Sequence, residues 1–175
     1  MDAKASVTRA AIEPSCFLTT ATVHALGLAD DCEPLTLARM LRDEQMTSDR
    51  DRAAVDLYYK VAPAIVARSS EHEWLAFWEE HMREITALLR AGEYELAKDL
   101  YTLATAKLVK EKALRYQDKE LADQVYAFGL RNFGKSALPF PLRYGVLKLA
   151  LSSWLPLETL RLKIAKRRVA RVTAL

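Results

Sequence analysis

At 175 residues, 51% hydrophobic and 28% charged, the chain is large enough for one globular domain with a buried core, which excludes an intrinsically disordered protein. Only five glycines and six prolines occur, a composition typical of helices rather than of turn-rich β structure. Residues 134–175 carry nine Lys or Arg against one acid, a net +8, whereas the rest carries 17 against 22, a net −5. We predict an all-α, single-domain bundle of about seven helices with a basic C-terminal segment, residues 134–175.

A secretory signal consists of a basic segment followed by an apolar run. The N-terminal arm, residues 1–14, does not have this pattern. No apolar run reaches the roughly 18 residues needed to cross a bilayer. Two cysteines in a chain of this size are more typical of reduced thiols than of a disulfide. We therefore expect a cytoplasmic protein without a transmembrane segment.

The predicted helical core, residues 15–133, begins with a segment that has a start and a stop signal for a helix. Ser15 is typical of an N-cap, and Gly27 is typical of the residue after a helix end. Its Thr and Val content also suits a strand, but no other segment offers an alternating partner strand, so we predict a helix over 16–26. Apolar residues surround this helix almost completely, which predicts burial. Its threonine hydroxyls then need partners, because an unpaired buried hydroxyl costs about 1–3 kcal/mol.

Four more helices are predicted up to about residue 117, and Pro63 should kink the second of these. The clearest is the helix between Ser70 and Gly92, because Ser70 and Glu73 match a capping box and an apolar stripe follows. The stripe consists of Trp74, Leu75, Phe77, Trp78, Met82, Ile85, Leu88 and Leu89. A sixth helix follows a turn near Asp118. An apolar helix over 142–154, a stop near Pro156 and a last, basic helix complete the prediction.

Cys16 is the first candidate for chemistry, because free amides and the helix dipole in a first turn favour a thiolate nucleophile. The alternative is a small buried hydrophobe, since free cysteine is among the most buried residue types. A nucleophilic cysteine usually needs a base. The candidates are His81, an unusual polar residue within an apolar stripe, and His24, which lies about 12 Å along a straight helix and reaches Cys16 only if the segment is not helical.

Metal and phosphate sites have weaker signals. Cys16, His24 and Cys32 lack the spacing of a zinc site, and no metal or other cofactor is predicted. GLRNFGKS, residues 129–136, matches the phosphate-binding loop pattern, but Pro139 and Pro141 break the helix that the motif requires. We interpret the match as chance, which leaves at most a phosphate contact by Lys135.

The basic C-terminal end follows an apolar stretch with a tryptophan, which together resemble a segment that lies on an anionic membrane surface. Its predicted anion-binding residues are Arg161, Lys163, Lys166, Arg167, Arg168 and Arg171. The alternative is a core helix followed by a solvated tail. Nucleic acid is a less favoured partner, because no aromatic residue alternates with the basic ones.

Residues 16–66 resemble the bacterial CFI-box family. Cys16, Phe17 and Leu18 precede Thr-Thr-Ala, an Arg-Asp pair follows at Arg42, and Tyr58 begins a Tyr-Tyr-x-x-x-Pro segment. The sequence departs from the family pattern in Leu18, where isoleucine is usual, and in Met40 and Leu41, where an aromatic residue often precedes Arg-Asp. The resemblance implies one cluster without specifying a reaction. That cluster is Cys16, Thr19, Thr20, Arg39, Arg42, Asp43, Tyr58, Tyr59 and Pro63.

Two functional hypotheses follow. In the first, the protein is a helical interaction or regulatory protein that docks a protein partner or an anionic membrane surface through its basic end, and the Cys16 motif is a buried structural unit. In the second, it is a thiol-dependent enzyme or redox-sensitive regulator with Cys16 as nucleophile and His81 or His24 as base. Arg39 or Arg42 would then bind an anion. The sequence identifies no substrate for that reaction.

Overall fold

The computed structural model describes residues 16–114, 118–129 and 140–172, with the side chains of 114, 126–129, 140–144 and 168–172 left out. These residues form seven continuous helices and no strand, which confirms the predicted all-α bundle. The α-helical segments are α1 (Phe17–Ala25), α2 (Glu33–Met40), α3 (Asp49–Ala67), α4 (Glu71–Phe77), α5 (Arg83–Arg90), α6 (Tyr94–Val109), α7 (Lys119–Gly129) and α8 (Phe140–Val172). The N-terminal arm, the proposed Ser15 cap and Lys135 lie outside the described residues.

Three π-helical turns extend or join these segments. Leu41–Gln45 continues α2, Trp78–Met82 joins α4 and α5 into one helix, and Lys110–Leu114 continues α6. A π turn contains an extra residue and therefore changes which side chains face inward. Both His81 and Met82 are buried on the second turn. Leu75, a member of the predicted apolar stripe on α4, is 36% exposed.

The predicted start and stop signals at two helices are confirmed. Ser70 and Glu73 form the capping box that begins α4. Gly27 follows the end of α1 with φ 70°, and Gly92 follows the end of α5 with φ 78°. This left-handed conformation favours glycine, which has no Cβ to clash with the backbone.

Helix α1 lies inside the bundle and contacts α2, α3 and α4. Leu18, Thr19, Thr22 and Val23 have no exposed surface, which confirms the predicted burial for this side of the helix, whereas His24 is exposed. Leu18 belongs to the main core, whereas Val23 packs in a smaller cluster with Cys16, Leu35 and Ala38.

Helix α8 is continuous through Pro156, so the predicted stop there was wrong. A proline inside a helix costs about 3 kcal/mol because it lacks an amide hydrogen and crowds the preceding turn. Leu155 and Leu162 of this helix are buried in the main core, and each contributes about 1.5–3 kcal/mol. Pro156 itself is exposed, which leaves the carbonyl that it crowds near solvent. Packing of α8 against α6 and α7 therefore outweighs the local signal.

Lys112 is a buried lysine that sequence analysis did not identify, with only 2% of its surface exposed. Its Nζ donates to Glu73 Oε1 at 2.6 Å and to the carbonyl oxygen of Arg68 at 3.1 Å. Arg68, in turn, pairs with Asp118, whose side chain accepts from the amide of Leu121 in the first turn of α7 at 2.8 Å. This network ties the end of α3 to the beginnings of α4 and α7.

We predict that Glu73→Gln destabilises the protein by about 1–3 kcal/mol at pH 7, because glutamine can still cap α4 but leaves the buried Lys112 ammonium without a counter-charge. The hydrogen bond from Lys112 lowers the pKa of Glu73 to about 2. Because the folded pKa lies below the ordinary value of 4.5, the difference between wild type and variant is full above that value and shrinks as the pH falls toward 2.

Urea unfolding of both proteins from pH 7 to pH 2.5 measures this difference. Asp51→Asn is the matched control, because Asp51 occupies the same position in the capping box of α3 but its lysine partner, Lys98, is less buried and has a second acid nearby. If Glu73→Gln lowered the free energy of unfolding by no more than Asp51→Asn does, the structural role of Lys112 would be contradicted.

Candidate functional site

Tyrosine hydroxyls from two other helices form hydrogen bonds with polar groups at the buried beginning of α1. Cys16 is its N-cap residue and makes no side-chain cap, so the predictions of Ser15 as N-cap and of Cys16 in the first turn were wrong. Instead, the hydroxyl of Tyr58 from α3 accepts a hydrogen bond from the amide of Leu18 at 2.8 Å. The hydroxyl of Tyr101 from α6 donates to Tyr58 at 3.4 Å and lies 3.1 Å from Thr19 Oγ1. Tyr58 therefore supplies from another helix the acceptor that an N-cap serine supplies locally.

Arg42 lies at the edge of this cluster, where its guanidinium contacts Asp43, Tyr59 and Cys16. Its Nε and Nη2 donate to the two carboxylate oxygens of Asp43, each at 2.6 Å. Its Nη1 donates to the Tyr59 hydroxyl at 2.8 Å and lies 3.7 Å from Cys16 Sγ. The guanidinium thus contacts the thiol while its charge is balanced by a carboxylate on the other side.

Burial determines the protonation of these groups. Cys16 is 5% exposed, and burial raises the pKa of its thiol although Arg42 and Arg39 act in the opposite direction. Burial likewise raises the pKa of Tyr58 and Tyr59, and it raises that of Tyr101 to about 12. At neutral pH the cluster therefore holds a protonated thiol and three neutral phenols beside one ion pair. The location at a helix start does not suffice to make Cys16 a thiolate, because desolvation outweighs it.

Most of the residues that the resemblance groups together do lie together: Cys16, Thr19, Arg42, Asp43, Tyr58 and Tyr59. Arg39 donates to the carbonyl of Asp30 at 2.9 Å. The Thr20 hydroxyl has no hydrogen-bond partner among the described residues. Pro63 lies on the exposed side of α3.

Neither histidine contacts Cys16 in the described part of the chain. His24 is exposed, and its Nε2 lies 2.7 Å from the carboxylate of Asp30. His81 is buried on the π turn 78–82, where its ring packs edge-on against Phe77 with 5.5 Å between centroids. Within the described ranges, no three His, Cys, Asp or Glu side chains are grouped so that they could hold a metal ion.

Tyr101 is the member of the cluster that sequence analysis missed. It lies on α6, 82 residues from Thr19 in sequence, and belongs to no motif around Cys16. The only signal was its position between Leu100 and Leu103, which are both buried. The predicted need of the α1 threonines for partners was the reason to look for such a residue.

The predicted basic cluster on α8 divides into two groups. Arg161 pairs with Asp99 at 2.6 Å and with Glu158 at 2.5 Å, and Lys166 pairs with Glu84 at 2.5 Å. Lys163 and Arg167 are exposed, and no described acid forms an ion pair with either of them. The side chains of Arg168 and Arg171 lie outside the described residues.

The outer face of α8 is apolar. Exposed side chains recur at helical spacing, so that they share one side of the helix. They are Val146 (39% exposed), Leu149 (70%), Trp154 (37%), Leu157 (67%), Leu160 (57%) and Ile164 (46%). We call these six residues the α8 stripe. Leu155 and Leu162 lie on the opposite side and are buried, so the stripe is directed away from the bundle.

No helix in the described part of the chain is long and apolar enough to cross a membrane. No protein-family model matches the chain, and neither a curated protein nor a solved structure shows significant similarity to it. The functional argument therefore depends on the geometry of the Cys16 cluster and of α8.

We predict that Tyr58→Phe lowers the free energy of unfolding by about 1–3 kcal/mol, because the buried amide of Leu18 loses its acceptor. Tyr59→Phe is the matched control, since Arg42 keeps both Asp43 oxygens when the Tyr59 hydroxyl is removed. Urea unfolding measures both variants. Equal effects of the two substitutions would show that the Tyr58 hydroxyl has no special role at the start of α1.

We also predict that Cys16 resists alkylation at neutral pH while the protein is folded. Its raised pKa leaves less thiolate at any given pH, and burial blocks the reagent. Cys32 is only partly buried and serves as the internal control. Mass spectrometry after iodoacetamide treatment between pH 6 and pH 9 gives the rate at each site. A Cys16 that reacts faster than Cys32 at pH 6 would instead support a nucleophilic role.

Proposed function

We propose that this is a cytoplasmic, helical interaction protein that docks on an anionic membrane surface through the α8 stripe and the basic residues beside it. In this proposal the Cys16 cluster, including its CFI-box-like residues, is a structural unit that holds the bundle together. The two free thiols suit a reducing compartment such as the cytoplasm.

The α8 stripe is the observation that carries the proposal. From Val146 to Ile164 it extends over about 27 Å at 1.5 Å per residue. Six large apolar side chains, four of them leucine or isoleucine with 46–70% exposure, share it. Large apolar side chains exposed together on one side of a helix typically mark an interaction site, and the exposed Ser153 and Arg161 lie within the same arc. Because the buried side of α8 already packs on α6 and α7, the stripe is accessible without any rearrangement of the bundle.

Charge favours a membrane over the other partners. Helix α8 carries eight basic residues and one acid, and the acid, Glu158, is already paired with Arg161. Arg167, at about 100° per residue, lies at the edge of the stripe, and Lys163 lies just beside it. An anionic bilayer supplies negative headgroups for these cations and an apolar layer for the leucines at the same time. Nucleic acid would satisfy the cations but leave the leucines in water.

Trp154 suits the same surface. It is 37% exposed within the stripe, and the tryptophan ring is apolar with one polar N–H, which is the combination enriched where headgroups meet acyl chains. The alternative, a thiol-dependent enzyme, gains no support at Cys16, because the sulfur is buried and contacts an arginine rather than a base.

Leu157→Glu is expected to weaken binding to vesicles of phosphatidylglycerol and phosphatidylcholine at least tenfold. The substitution removes an insertion worth about 1.5–3 kcal/mol and places a carboxylate against anionic headgroups. Leu75→Glu is the matched control, because Leu75 is an exposed leucine on α4, away from α8. Co-sedimentation with the vesicles measures both variants and the wild type, and thermal unfolding verifies that each is folded.

Two further measurements complete this test. Arg167→Gln should weaken binding about fivefold, since a basic side chain near an anionic surface contributes about 1 kcal/mol. Wild type should bind vesicles of phosphatidylcholine alone much more weakly. If Leu157→Glu and Leu75→Glu bind equally, or if the wild type binds no vesicles, the stripe does not dock on a membrane, and an acidic protein partner becomes the better explanation.

A further inference from the structure

A cavity of about 190 Å³ lies between the π turn 78–82, α5, α6 and α8. It is separate from the Cys16 cluster, and its position beside α8 differs from that of the outward α8 stripe. Its walls combine apolar and charged side chains. They are Glu80, His81, Glu84, Leu100, Leu103, Lys107, Thr159, Leu162, Lys163 and Lys166.

His81 faces this cavity without a hydrogen bond among the described residues. It is 8% exposed, and its Nε2 lies 3.8 Å from Glu80 Oε2, which is beyond hydrogen-bond distance. Its nitrogens are not among the fully buried unpaired polar atoms, so they keep some accessible surface that a ligand in the cavity can reach. The π turn that holds His81 is a local irregularity of a kind that recurs at functional sites.

The charges around the cavity favour an anion. Lys107 is half-buried and Lys163 is exposed, and neither forms an ion pair with an acid in the described part of the chain. Lys166 is already paired with Glu84 at 2.5 Å, and the Glu80 side chain is 71% exposed, so water screens its charge. Taken together, the lining has three lysines against two glutamates, so one positive charge remains uncompensated beside His81.

We propose that this cavity binds a phosphate group, with His81, Lys107 and Lys163 as its ligands. A phosphate accepts several hydrogen bonds at once, which suits donors that line one cavity from three helices. The volume of about 190 Å³ accommodates it together with some water, at about 30 Å³ per water molecule. The group belongs either to a free phosphate compound or to a lipid headgroup, and the site does not depend on membrane docking by the α8 stripe.

Binding should be coupled to proton uptake by His81. Burial lowers the pKa of His81, and Lys107 and Lys166 lower it further against the opposing effect of Glu80 and Glu84. The imidazole of the unliganded protein is therefore neutral at pH 7. A bound phosphate adds negative charge beside the ring and stabilises the imidazolium, which in turn donates to the phosphate. Lys163 is the remaining charged group that lines the cavity.

The test is a histidine titration by NMR, with inorganic phosphate against sodium chloride at equal ionic strength. The chain has three histidines, and the other two, His24 and His72, are exposed and serve as internal references. We expect phosphate to raise the midpoint of His81 alone by about one pH unit, which corresponds to about tenfold tighter binding to the protonated protein. An unchanged His81 midpoint, or equal shifts in all three histidines, overturns the proposal.

Lys107→Met should abolish the phosphate-dependent shift, whereas Lys60→Met, at an exposed lysine on α3, should retain it. A full shift in Lys107→Met contradicts the site. Leu157→Glu should also retain the shift, which separates the cavity from the proposed docking by the α8 stripe. Replacing phosphate by glycerol 3-phosphate or by a short-chain phosphatidic acid identifies the source, since a headgroup site responds more strongly to the lipid and a metabolite site responds equally to both.

Discussion

The burial of α1 is the constraint on which the bundle depends. A helix surrounded by α2, α3 and α4 cannot use water to satisfy its first amides or its threonine hydroxyls. Two of those needs are met from other helices, by Tyr58 for the amide of Leu18 and by Tyr101 for Thr19, and one is met internally, by the hydrogen bond from Thr22 to the carbonyl of Leu18. Because a hydrogen bond tolerates only a few tenths of an ångström, these contacts also fix where α3 and α6 lie along α1.

The same constraint decides the chemistry of Cys16. An arginine 3.7 Å from a sulfur at a helix start is an arrangement that activates thiols elsewhere. Here the Arg42 charge is engaged by both oxygens of Asp43, which leaves little net positive potential for a thiolate. Desolvation of a sulfur with 5% exposure then determines the direction of the pKa shift. The burial that makes the cluster a good structural unit thus makes it a poor nucleophile, and Arg42 is better understood as the residue that connects the turn after α2 to α3 through Tyr59.

Sequence motifs correctly predicted the features that depend on residues close together in the chain. The capping box at Ser70, the left-handed glycines at 27 and 92 and the burial of α1 follow from residue type and spacing, and the structure agrees. Tyr101, Lys112 and the continuity of α8 through Pro156 could not be predicted in this way. Each depends on which distant helix lies opposite, and that is set by the packing of the whole chain. The grouping of Cys16 with Arg42 and the tyrosines came from the family resemblance, because nothing in the residue spacing brings α1, the π turn 41–45 and α3 together.

In helix α8, the side chains that pack in the core determine which side chains face outward. A rotation of this helix by about 180° about its axis would bury the α8 stripe. If burial of the stripe were the only contribution to stability, the rotated orientation would be favoured. That rotation would expose Leu155 and Leu162 and would break the ion pairs of Arg161 with Asp99 and of Lys166 with Glu84. Exposed ion pairs contribute about 0–1 kcal/mol each, so they orient the helix but do not alone hold it. The stripe leaves six large apolar side chains 37–70% exposed, and an unliganded chain gains nothing by leaving them in water. The core packing of Leu155 and Leu162 therefore leaves the stripe facing outward, and the membrane docking that we propose would cover it.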